Sequence, residues 1–138
     1  MSWIFYALIS AAAAALTAIL AKVGVEGVPS TLATAIRTVV IVVFAWMMVL
    51  GLGEHSRLGT ISRRSLVFLI LSAVATGVSW LAYFRALQLG PASKVAPIDK
   101  LSLPITILLA VVYLGEPLTW RLGIGIALMT AGAFLTIS

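Results

Sequence analysis

Apolar residues run through this chain in five long blocks, separated by glycine, proline and short clusters of charge. The blocks cover about residues 3–21, 30–52, 65–89, 93–114 and 118–137. A helix needs about 20 residues to cross roughly 30 Å of hydrocarbon, and every block is close to that length. Lipid offers a backbone amide no partner, so the blocks are predicted to be α-helices and not strands. KVGVEGVP (22–29) joins the first two blocks, and GEHSRLGTISRR (53–64) is the longest polar stretch. Gly90–Pro91–Ala92 and Gly115–Glu116–Pro117 leave room only for tight turns, so blocks three to five are expected to run antiparallel. The pattern describes an all-α polytopic membrane protein, with five transmembrane helices in one domain, 1–138. No positive residue precedes the first block, which is also too long for the core of a cleaved leader, so it is expected to be a retained span.

Composition supports the lipid medium. Of 138 residues, 62% are hydrophobic and 9% charged, where a water-soluble domain carries about 25% charge. Cysteine is absent and His55 is the one histidine. A disulfide framework, a thiolate metal site and a His-based metal site are therefore excluded, and no cofactor is expected. The net charge of +5 comes from thinly spread lysines and arginines that form no basic stripe. They suit lipid headgroups and not a nucleic acid. Arg57, Arg63, Arg64 and Arg121 fall on the side of the N-terminus, against Lys22, Arg85 and Lys94 on the other. The positive-inside rule then places the N-terminus in the cytoplasm by four to three, a margin that permits insertion in both orientations.

Helical spacing gathers polar residues onto faces. Tyr6, Ser10, Ala13 and Thr17 share one line in the first block, and Thr31, Thr34, Arg37 and Thr38 cluster in the second. Thr76, Ser79, Trp80 and Tyr83 line up in the third, and Asp99, Ser102, Thr106 and Tyr113 in the fourth. Four such stripes are able to enclose a watery cavity, where ionisable groups inside membranes usually lie. The competing reading is structural, since Ser and Thr hydroxyls often do no more than bond a neighbouring helix.

The charged residues are the stronger signal. An ionised side chain at the bilayer centre costs at least about 2.5–3.5 kcal/mol. Asp99 and Lys100 stand side by side in the fourth block between Pro97 and Pro104, which weaken the helix around them. In a regular helix Lys100 projects about 100° away from Asp99. Arg37 stands about two turns inside the second block, where it either snorkels to the interface or meets a ligand. Lys22 reads as an interfacial anchor, and the remaining charges as solvated loop or end residues. Trp3 and Trp120 fit an aromatic belt, whereas Trp80 beside Tyr83 fits a cavity wall. Gly123, Ala127 and Ala131 recur every four residues in the last block, a spacing that lets helices approach closely, within the chain or between subunits. No phosphate loop, nucleophile elbow or cluster of His, Cys or carboxylates supports an enzyme.

The stretch WLAYFRALQLGPASKVAPIDKLSLPITILLAVVYLGEPLTWRLGIGIALMTAGAFL (80–135) resembles the second half of an EamA repeat. That repeat is the building block of the drug/metabolite transporter superfamily. The matching parts are the AL-x-x-GPAS turn (86–93), Pro104, the LGE-P exit (114–117) and the glycine-rich last helix. Trp3, Lys22 and Arg37 agree with the first half. The resemblance implies movement of a small molecule through a central cavity by alternating access. Typical members carry two such repeats in opposite orientations and ten spans, so one repeat here implies a homodimer, antiparallel or otherwise paired, in the cell (inner) membrane. The small multidrug resistance proteins pair similarly, but they carry a carboxylate in their first of four spans. The first block here has none, and their proton-coupled mechanism does not carry over.

The expected function is therefore a secondary transporter of a small polar metabolite or drug-like compound. Its substrate contacts are expected to be Tyr6, Arg37, Trp80, Tyr83, Asp99 and Lys100. Arg37 and Lys100 would attract a carboxylate or phosphate, and Asp99 an amine or a proton. The rival classes are a non-transporting accessory or scaffold subunit, whose charges pair with a partner, and a channel.

Overall fold

The computed structural model describes residues 2–137, and the regular elements among them are all helical. In chain order they are α1 (Trp3–Gly24), α2 (Ser30–Gly51), a 3-10 helix (Glu54–Thr60), α3 (Arg63–Leu89), α4 (Ala92–Asp99), α5 (Ser102–Leu114) and α6 (Trp120–Leu135). By length and composition α1, α2, α3 and the 23-residue segment Ala92–Leu114 are each able to cross a membrane.

Local chemistry explains where the helices start and stop. Ser62 caps α3, its Oγ accepting the Ser65 backbone N–H at 3.0 Å, in the usual manner of a serine at a helix start. That cap draws Arg63 and Arg64 into the first turn, two residues earlier than the apolar block alone predicts. Thr119 caps α6 by accepting the Leu122 N–H at 3.3 Å. The fifth block is thus shorter as a helix than as an apolar run, 16 residues, or about 24 Å at 1.5 Å per residue. Gly115 ends α5 with φ of 71°, a left-handed conformation that only glycine adopts at little cost. Gly115→Ala is expected to destabilise the protein by about 1 kcal/mol, read as a lower melting temperature in detergent. An unchanged melting temperature would contradict it.

The fourth block departs from expectation. It is not one helix over 93–114 but two, broken at Lys100 and Leu101. Neither Pro97 nor Pro104 has an N–H to give, so the carbonyls of Ser93 and Lys100 lose their usual i+4 partners. Around the break the chain tightens to i→i−3 bonds, Leu101 N–H to Ile98 O and Leu103 N–H to Lys100 O, both 3.0 Å. The stripe read from Asp99 through Ser102 and Thr106 is therefore interrupted after its first member.

By their contacts the helices group into two compact units. One comprises residues 21–88, and its interior is Ala21, Val25, Thr34, Phe84 and Leu87. Polar bonds tie the end of α3 to the connection before α2. Lys22 Nζ donates to Leu87 O at 2.6 Å, satisfying a carbonyl of the last turn of α3 that the helix itself leaves open. Gln88 Nε2 donates to Val25 O at 3.2 Å and Val28 O at 2.5 Å. Arg85 Nη1 donates to Gln88 Oε1 at 3.2 Å. These bonds hold the start of α2 level with the end of α3.

The other unit joins residues 2–20 to the chain from Leu89 onward. There α6 packs on α4 and α5, Pro104 and Ala133 are buried, and Lys94 Nζ donates to Ile137 O at 3.0 Å. Ala127 and Ala131 lie on the exposed side of α6, and a Cβ added at Gly123, Gly125 or Gly132 would meet nothing within 4 Å. The close approach that these small residues allow is thus not made among the described residues.

Candidate functional site

In the 21–88 unit, Arg37 of α2 reaches across to α3. Its guanidinium carbon lies 5.2 Å from the ring centre of Trp80 and 4.7 Å from that of Phe84. Trp80 and Phe84 are four residues apart, so they stand one above the other on a single helix face. Tyr83 adjoins this pair, its ring 6.1 Å from that of Phe84.

The depth of this arrangement decides between two readings of Arg37. Seven residues separate it from the start of α2, about 10 Å of helix. Phe84 and Trp80 lie about 8 and 14 Å from the end of α3, and those helix ends are level because Gln88 bridges them. The guanidinium therefore rests at about the same depth as its own Cα. Its side chain turns sideways onto α3 and not along its own helix toward Ser30. Cation–π contacts reach about 2 kcal/mol or more each when desolvated, comparable with the cost of an arginine in a bilayer. The two rings therefore offset part of that cost. Among the described residues, the guanidinium N–H groups donate no hydrogen bond.

The threonines beside Arg37 read differently. Thr34 Oγ1 donates to Ser30 O at 2.8 Å and Thr38 Oγ1 to Thr34 O at 2.9 Å. Thr76 does the same with Ser72 O at 2.9 Å. These three hydroxyl protons are committed to carbonyls of their own helices and not to a neighbouring helix, and each oxygen keeps its acceptor capacity.

In the other unit, the break between α4 and α5 carries Asp99 and Lys100. Residues i and i+1 do not face each other on a continuous helix. Here the helix ends at Asp99 and Lys100 caps it, so Lys100 Nζ comes within 3.3 Å of Asp99 Oδ2. Their side chains are 55% and 35% exposed, respectively, so the chain itself does little to shield this pair. Tyr6 of α1 is exposed and meets Phe5 edge-on, with ring centres 5.8 Å apart. The expected contacts thus fall into two groups, Arg37 with Trp80 and Tyr83 in one unit, and Tyr6, Asp99 and Lys100 in the other.

Two residues of the site escaped the sequence reading. Phe84 was not singled out, although an aromatic four residues after Trp80 must share its face. Gln88 was available as a polar residue near a span end, but its partners lie 60 and 63 residues away.

Apolar helices of spanning length, almost devoid of buried core, define a polytopic membrane protein. The chain belongs to the EamA-like transporter family, whose model matches residues 1–138. It is 51% identical over 134 residues to a protein of Sinorhizobium sp named "Uncharacterized transporter in cobO 3'region". That match covers 97% of this chain and 95% of the relative. No solved structure is significantly similar to the chain.

Proposed function

We propose that the protein is a secondary transporter of the inner membrane that moves a small polar metabolite or drug-like compound by alternating access. It works as a pair of copies, and its N-terminus faces the cytoplasm in at least one of them. Tyr6, Arg37, Trp80, Tyr83, Asp99 and Lys100 are its proposed substrate contacts. The observation that carries this reading is the ion pair at the α4–α5 break. In water an exposed pair is worth at most about 1 kcal/mol, whereas each lone charge in hydrocarbon costs at least about 2.5–3.5 kcal/mol. A pair left open at mid-span is therefore a poor fold stabiliser, and water, a substrate or a second copy has to cover it. Discontinuous helices are a recurrent way to build such sites in transporters. The exposed small residues of α6 support pairing, because that face accepts a close neighbour.

The test is flux into proteoliposomes, with a radiolabelled mixture of amino acids and small organic acids as probe. Saturable uptake accelerated by unlabelled compound on the far side is expected. Flux that rises linearly with concentration and shows no such acceleration would mean a channel. Tags on both termini, probed from each side in cells, are expected to show every terminus on both sides if the copies are antiparallel. One fixed orientation would mean parallel copies.

A further inference from the structure

We infer that Arg37, laid across Trp80 and Phe84, is the anchor for a single carboxylate group on the compound bound. The inference deepens the transporter reading, and rests on it for calling that compound a substrate.

Two aromatic rings hold the guanidinium of Arg37. Aromatic rings take the charge of a guanidinium through its π-face and use none of its N–H donors. Those donors form a planar fork, and a carboxylate matches that fork with two parallel bonds. The unit has no acid of its own at that depth: its acidic residues, Glu26 and Glu54, lie in the connections outside α2 and α3. The neighbouring cations are engaged near the end of α3, Lys22 on Leu87 O and Arg85 on Gln88. A single positive charge about 10 Å deep balances a single negative one, which favours a carboxylate over a dianionic phosphate. The contrast with Lys100 sharpens the assignment, since Lys100 already has Asp99 at 3.3 Å. The sideways course of the side chain onto α3 also disfavours a lipid headgroup, because it does not run toward the start of α2.

Trp80 supplies the readout. Trp3→Phe, Trp46→Phe and Trp120→Phe leave Trp80 as the one tryptophan, in contact with the anchor. The protein, held in nanodiscs of zwitterionic phosphatidylcholine, is titrated with benzoate and with benzamide, its uncharged isostere. Benzoate is expected to change Trp80 emission with saturation, and benzamide to produce at least tenfold weaker binding. Arg37→Gln is expected to raise the benzoate half-saturation at least tenfold. Arg37→Lys keeps the charge but loses the fork, so it should fall between the two and guards against a folding defect in the glutamine variant. Equal responses to benzoate and benzamide, or a benzoate response indifferent to Arg37→Gln, would overturn the inference. So would an emission change produced by added phosphatidylglycerol and not by benzoate. Counterflow without benzoate binding would sink this assignment alone. Benzoate binding without any flux would sink the transporter reading and leave the anion site standing.

Discussion

Replacing Asp99 and Lys100 together by leucine is expected to raise the melting temperature and to reduce flux at least a hundredfold. Both directions follow from one physical point. Removing a charge pair from a low-dielectric site and filling the space with apolar atoms is often neutral or stabilising by about 1–4 kcal/mol. A pair 3.3 Å apart and substantially open to its surroundings gives little in return for its desolvation. Single substitutions behave differently. Asp99→Asn or Lys100→Gln leaves one charge without its partner, so each should lose both flux and stability. The exchanged pair, Asp99→Lys with Lys100→Asp, separates structure from function. It restores neutrality at the break, so insertion and melting temperature should recover toward the parent. A substrate or proton that reads each group by sign would still not be carried, and flux should stay low. Recovery of flux in the exchanged protein would show that the pair does no more than neutralise itself. Normal flux in the dileucine protein would remove both residues from the substrate path.

The apolar periodicity made most of the helical architecture visible before any coordinates. Span ends were legible where a residue type has one physical meaning, as at Gly115 with its positive φ or Pro29 just ahead of α2. Ends set by a side-chain cap were misplaced, because the Ser62–Ser65 contact extends α3 into residues that look like loop. The break in the fourth block was half legible. Two prolines flanked it, but hydropathy averages over 93–114 and sees one span. Interactions between distant segments were not legible at all. Lys22 read as an anchor at a span end, and nothing in its sequence neighbourhood showed that it also closes a carbonyl 65 residues away. The same holds for Arg37. Its depth followed from counting, but whether the side chain turned toward water or toward Trp80 depended on how α2 and α3 align.

Pro97→Ala combined with Pro104→Ala is the second variant with a large expected effect, because it attacks the break without touching a charge. Pro97 lies inside α4, where proline costs about 3 kcal/mol relative to alanine. Pro104 lies in the first turn of α5, where the missing N–H costs little on its own. Its influence is on continuity, since an alanine there is able to donate to Lys100 O in place of the bond from Leu103. With both donors restored, 92–114 should close into one regular helix. Asp99 and Lys100 would then project about 100° apart and their pairing would weaken. The double variant is therefore expected to melt higher than the parent and to transport at least tenfold more slowly. Pro97→Ala alone should give most of the stabilisation, and Pro104→Ala most of the functional loss. A protein with parental flux after both changes would mean that the broken helix is an accident of proline placement, with no part in moving substrate. Higher stability with lower flux would instead show that the weak point is kept because the substrate needs it, as stability commonly trades against activity at strained sites.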